Sequence, residues 1–142
     1  YARYHAAMMR TVVIGTPSDT HKRYHALADQ ALTACEAAIK PGNPMGDVYR
    51  AHADVFDNAG MGHARLQACG YGMGASYDPI WVVFPLFRAD NPLLMRTSPV
   101  FFLHMILMDS DTGTAMTHGH SVLVTDDGCE RLSRHDTGLI TQ

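Results

Sequence analysis

The chain of 142 residues is long enough for one domain with a sizeable core, and its 46% hydrophobic and 18% charged residues match an ordinary globular protein. A net charge of −3 without any Lys/Arg cluster excludes an electrostatic footprint for nucleic acid. The longest apolar stretch, 99–108, falls far short of the ~20 residues that a membrane helix needs.

In chain order, residues 8–15 read as a strand, followed by a turn at 16–19 in which Pro17 precedes Ser18 or Asp19 as a helix cap. Tyr24, Leu27, Ala28, Ala31, Leu32, Cys35, Ala38 and Ile39 recur at three- and four-residue intervals, which predicts an amphipathic helix of about six turns. Lys40-Pro41-Gly42 ends it, because Pro cannot continue the ladder. A second helix is expected over 45–58, with Gly60 just past its end. The glycine-rich stretch 60–74 suggests strand edges and close backbone approaches, and 77–92, with three prolines, reads as loop. Residues 100–109 form an apolar run bounded by Pro99 and the turn at 109–113, the pattern of a central strand buried on both faces. Residues 114–125 pair back as a hairpin, and Asp126-Asp127-Gly128 turns into a short last strand around 129–132. This order predicts an α+β fold, one domain over 1–142, with helices on one face of an antiparallel sheet.

Cys35, Cys69 and Cys129 are odd in number and lack metal-type spacing, so they read as reduced thiols of a cytoplasmic protein. The start, Tyr1-Ala2-Arg3-Tyr4-His5, shows no leader pattern. Opening without Met just ahead of a strand, the chain is expected to be a fragment of a longer protein.

Five segments together resemble the creatinase, aminopeptidase P and Xaa-Pro dipeptidase superfamily. Arg10-Thr11-Val12-Val13-Ile14-Gly15 resembles its Arg-Thr strand, and Ala37-Ala38-Ile39-Lys40-Pro41-Gly42 its helix end. Gly70-Tyr71-Gly72-Met73-Gly74 stands where the family writes Gly-His-Gly-Ile-Gly, and the run 99–104 where it writes Met-Val-Phe-Thr-Ile-Glu. The stretch 122–132, with Val124-Thr125 and Gly128, resembles the family's ending. The resemblance implies the C-terminal part of a pita-bread fold, a curved antiparallel sheet with two helices on its convex face. It also implies a homo-oligomer, since half of such a sheet leaves an apolar edge unpaired.

Metal-dependent members of that superfamily bind two ions through two aspartates, a histidine and two glutamates. The resemblance puts Ala7, Tyr71, His104 and Gly119 at four of those five positions, with the other Asp lying before Tyr1. Two cations bridged by carboxylates need oxygens that Ala and Gly cannot supply. No metal and no cofactor is therefore expected, as in the metal-independent creatinase and ectoine hydrolase-like branches.

His104 is the first candidate catalytic residue, an imidazole at the former glutamate position, with a hydrogen-bonded core histidine as the alternative. Tyr71 could hydrogen-bond a substrate carbonyl or carboxylate, or simply pack. Asp78, near a second family histidine, could act as a base or orient an ammonium, though a turn carboxylate before Pro79 explains it equally. His118 and His120 share a strand face and, with His104 on the paired strand, could hold one metal; otherwise they are exposed hairpin residues. Arg10 is expected to pair with a carboxylate, and His21, His25 and His52 to lie on solvated faces. The implied activity is hydrolysis of a C–N bond in a small-molecule substrate without metal. The alternatives are an inert remnant and an Xaa-Pro dipeptidase-type metallopeptidase.

Overall fold

The computed structural model describes residues 1–142. Its first helix, α1 (Asp19–Ala38), begins where the Ser18 hydroxyl accepts the His21 backbone N–H at 3.2 Å while the His21 ring accepts the Ser18 N–H at 3.2 Å. One face of α1 buries Tyr24, Ala28, Ala31, Leu32 and Cys35, and the helix ends at Ile39, two residues ahead of Pro41. Helix α2 (Met45–Asn58) packs on α1 and buries Val48, Tyr49, His52 and Phe56. Gly60 follows at φ 73°, a left-handed conformation that glycine adopts without steric cost.

Beneath the helices lies a five-stranded antiparallel sheet made of β2 (Ala68–Met73), β3 (Val83–Arg88), β4 (Val100–Asp109), β5 (Thr114–Val124) and β6 (Cys129–Arg131). The spatial order is β3-β2-β4-β5-β6, so β4 is central as its apolar run predicts. The β4–β5 ladder is unbroken from Val100↔Leu123 to Asp109↔Thr114. Alternation along it divides the side chains between two faces. Phe101, Leu103, Met105 and Leu107 of β4, with Met116, Val122 and Val124 of β5, meet the helices in one core. Phe102, His104 and Ile106 point to the opposite, open face. Each fully buried Leu or Phe of that core contributes roughly 1.5–3 kcal/mol.

The N-terminal strand is shorter than expected. Only β1 (Val12–Val13) is a strand, and it pairs in parallel with β7 (Ile140–Thr141). Met9 and Gly119 exchange both backbone hydrogen bonds, at 3.0 and 3.1 Å, which docks the N-terminal segment on β5. The loop expected over 77–92 contains β3, whose Pro85 is tolerated because β3 is the sheet's edge.

His52 is not solvated but fully buried, its ring 5.7 Å from Tyr49 and 5.0 Å from Phe56, with neither nitrogen hydrogen-bonded. Burial, assisted by the Arg65 cation, lowers its pKa to about 4. The buried Asp109 carboxylate holds the β4–β5 turn to α1 by accepting from the Tyr24 hydroxyl, from Thr112 Oγ1 at 2.8 Å and from the Asp111 N–H at 3.0 Å. Those donors, Tyr24 first, keep its carboxyl well below the usual range. All three cysteines are free, and no helix is long and apolar enough to cross a membrane.

Candidate active site on the open face of the sheet

Register brings the two leading sequence candidates together. Tyr71 of β2 stands opposite Phe102 of β4, and His104 stands opposite Gly119 of β5. The three rings form a triangle, with centroids 5.4 Å apart for Tyr71–Phe102, 5.7 Å for Tyr71–His104 and 5.9 Å for Phe102–His104. His104 is half-buried, and its Nδ1 is buried without a partner. Burial lowers the His104 pKa to about 4, so the ring is neutral at pH 7. Burial also raises the Tyr71 phenol, with the Trp81 indole acting in the opposite direction.

His5 extends this group. Its ring stacks on Tyr71 at 6.4 Å, and its Nδ1 lies 3.1 Å from the Gly74 carbonyl. No local sequence pattern marks His5; the Tyr4↔Ala75 bridge brings it here. Asp78 is not part of the cluster. It sits exposed beside the Tyr77↔Ile80 bridge and makes no hydrogen bond or ion pair with Tyr71 or His104.

The alternative cluster of His104, His118 and His120 does not form. His118 and His120 are in phase with Met116 and Val122 and face the helices, on the opposite side of the sheet from His104. Both are fully buried rather than exposed. The His120 Nε2 lies 2.5 Å from Glu36 Oε1, and Arg131 reaches both Glu36 oxygens at 3.2 Å. Burial works against the Glu36 charge, but the hydrogen bonds from His120 and Arg131 outweigh it and hold the carboxyl below its usual range. His118 lies 3.3 Å from Asp29 Oδ1 and 5.2 Å from the His25 ring, and burial brings it to about 4. A three-histidine metal site with His104 is thereby excluded. Arg10 differs from expectation too, donating to the backbone carbonyls of Met9, Gly119 and Asp136 at 2.7–2.9 Å, with no carboxylate partner.

A family model for metallopeptidase family M24 matches residues 1–126. The chain belongs to that family. It is 35% identical over 134 residues to an ectoine hydrolase of Halomonas elongata, covering 94% of this chain and 33% of the relative. It is 19% identical over 140 residues to an Xaa-Pro dipeptidase of Pyrococcus furiosus, covering 99% of this chain and 39% of the relative. The X-Pro aminopeptidase of Thermotoga maritima superposes with a TM-score of 0.90 at 20% identity, over 99% of this chain and 38% of that one. The chain thus spans about a third of the length of the relatives it matches, and it carries the C-terminal portion of the pita-bread fold.

The metal that the M24 name implies meets a poor donor set here. Tyr71, Phe102, His104 and Gly119 offer one phenol and one imidazole but no carboxylate, and the adjoining Ala7 offers none. Two divalent ions need several oxygen donors to balance their charge. Gly119 cannot be regarded as a vacant ligand position either, since a Cβ there would lie well inside contact with the Leu103 carbonyl oxygen and 3.2 Å from the Phe102 ring. The one group spaced to hold an ion, His63 with Asp109 and Asp111, lies at the β4–β5 turn, where Asp109 is already engaged by its hydrogen bonds.

Proposed function

We propose that this M24 chain is the C-terminal part of a hydrolase that cleaves a C–N bond of a small molecule without a metal ion. The observation that carries the reading is the neutral, half-buried His104, its ring 5.7 Å from that of Tyr71. A neutral imidazole can take a proton from an attacking water and hand it to the departing nitrogen. In this reading the Tyr71 O–H donates to the oxygen that gains charge as the water adds. Asp78, on its exposed loop, is assigned the cationic end of a substrate. The 35% identity to an ectoine hydrolase supports a small-molecule substrate over a peptide. The exposed edge at β3, where Phe84 is 78% accessible, supports a second copy as a partner of a cytoplasmic homo-oligomer.

The test uses the full-length protein, treated with a chelator and offered ectoine, N-acetylated amino acids and a prolyl dipeptide. Hydrolysis of an acylamino or cyclic amidine substrate should survive chelation and fall at least about a hundredfold in His104→Gln. Prolyl dipeptidase activity that chelation abolishes would overturn the reading, as would the absence of any hydrolysis.

A further inference from the structure

We propose that His63, Asp109 and Asp111 form a site for one zinc-like divalent cation, which clips the segment between α2 and β2 to the β4–β5 turn. Asp109 ends β4 and Asp111 follows in the turn, whereas His63 arrives from a distant part of the chain. The Met108 N–H donates to the Ala64 carbonyl at 2.8 Å and Arg65 bridges Leu107, which docks the segment carrying His63 on the end of β4. The three side chains bring ligand atoms within 4.8 Å of one another, and His63 Nε2 lies 3.5 Å from Asp109 Oδ1. Two donors bound to one tetrahedral zinc ion stand about 3.4 Å apart. The His63–Asp109 pair therefore already has the spacing of one edge of that tetrahedron.

The hydrogen bonds of Asp109 do not exhaust it. An ionised carboxylate accepts at about four positions. The Tyr24 and Thr112 hydroxyls occupy those on Oδ2, and the Asp111 N–H takes one on Oδ1. The fourth is on Oδ1, the oxygen that faces His63. The Asp109 carboxylate is only 5% exposed, and its donors, Tyr24 foremost, hold it charged. A buried charge is ordinarily paired with an opposite charge or bound to a metal. No Lys or Arg nitrogen lies within 4.0 Å of Asp109 or Asp111, and His63 is the only basic group that close. The hydroxyls and the N–H neutralise none of this charge, whereas a divalent cation held by both carboxylates balances it.

One imidazole and two carboxylates suit a borderline cation such as zinc, with water as the fourth ligand, while calcium takes six or more oxygens. His63 and Asp111 are exposed, so the ion has an open path from solvent. Asp109 lies at the far end of β4 from the aromatic cluster, about 17 Å along the strand from His104. The site is thus separate from the proposed active site and independent of turnover there. Its effect is on stability, because the bound ion ties α1, through Tyr24 and Asp109, to the turn and to the segment after α2.

Titration calorimetry on the full-length protein, first stripped by a chelator, tests this with zinc chloride and calcium chloride as probes. Zinc should bind in a saturable event, and calcium should give none. His63→Ala and Asp111→Asn should each weaken the zinc event at least about tenfold, whereas His104→Gln should keep it, which separates this site from the active site. Saturating zinc should raise the melting temperature of the parent and leave that of His63→Ala unmoved. Both side chains are exposed, so in chelator the two variants should melt within about two degrees of the parent. No saturable zinc binding would overturn the proposal. So would a zinc event undiminished in either variant, the mark of an adventitious ion only.

Discussion

Acid should destabilise this fold through His52, and the size of the effect follows from its surroundings. The ring is fully buried between Tyr49 and Phe56, both nitrogens lack partners, and burial takes its pKa from 6.5 to about 4. The unfolded chain therefore binds a proton that the folded chain refuses. The stability contributed by the neutral ring is complete above pH 6.5 and is lost progressively as pH falls toward 4. At pH 5 the linkage amounts to about 2 kcal/mol. With an unfolding entropy of roughly 0.3 kcal/mol/K for a chain of this size, that corresponds to about 7 °C in melting temperature. His52→Leu keeps the volume and removes both the titration and the unpaired nitrogens. Calorimetric melts at pH 7 and pH 5 should show the variant losing about 7 °C less than the parent across this interval, and at pH 7 melting no lower than the parent. His104 and His118, also lowered to about 4, will leave some slope in both proteins. If parent and variant lose the same number of degrees, the reasoning about this buried ring is wrong.

Other expectations are equally direct. Gly119→Ala forces a methyl against the Leu103 carbonyl and within 3.1 Å of His104 Cα, so it should cost about 3 kcal/mol, or roughly 10 °C of melting temperature. A melt within a degree or two of the parent would show that β4 and β5 can part there. Glu36→Gln removes the charge that His120 and Arg131 share and should lower stability by about 2 kcal/mol in urea titrations, with the urea dependence unchanged. Tyr71→Phe removes only the hydroxyl and keeps the ring packed against Phe102, so stability should hold within about 0.5 kcal/mol while kcat drops roughly a hundredfold.

Local chemistry made the helices and the central hairpin legible. The Ser18 cap, the apolar stripe from Tyr24 to Ile39 and the Pro41 stop all act within a few residues, and so does the turn that joins β4 to β5. What escaped depends on distant partners. β3 was hidden by Pro85, acceptable only because no strand pairs beyond it, and β1 is defined by its pairing with β7 at the far end of the chain. The signal for His52 was present, since it lies four residues from both Val48 and Phe56 on the buried stripe of α2. The signal for His118 and His120 was present as well, in their phase with Met116, Val122 and Val124. Proximity of His104 in the paired strand was mistaken for a shared face; the ladder pairs it with Gly119 and sets it out of phase with both. Arg10 was beyond reach, because backbone carbonyls gathered from three segments leave no mark on the sequence.

The exchange of a carboxylate for an imidazole at residue 104 is consistent with everything around it. A neutral ring can remain between Tyr71 and Phe102 without a counter-charge, because its proton leaves when it is buried. A carboxylate in the same place would need a cation, and the open face provides none. His104→Glu should therefore not restore a metal site. The new carboxyl should instead be held protonated, with its folded pKa raised above the ordinary ~4.3. Such a group supports the fold at low pH and withdraws that support as pH rises through the folded pKa. Melts of the variant should fall further behind the parent between pH 5 and pH 8, and added manganese or zinc should not close the gap. A gap that stays constant with pH, or one that metal closes, would mean that the face still holds the donors of a metal centre.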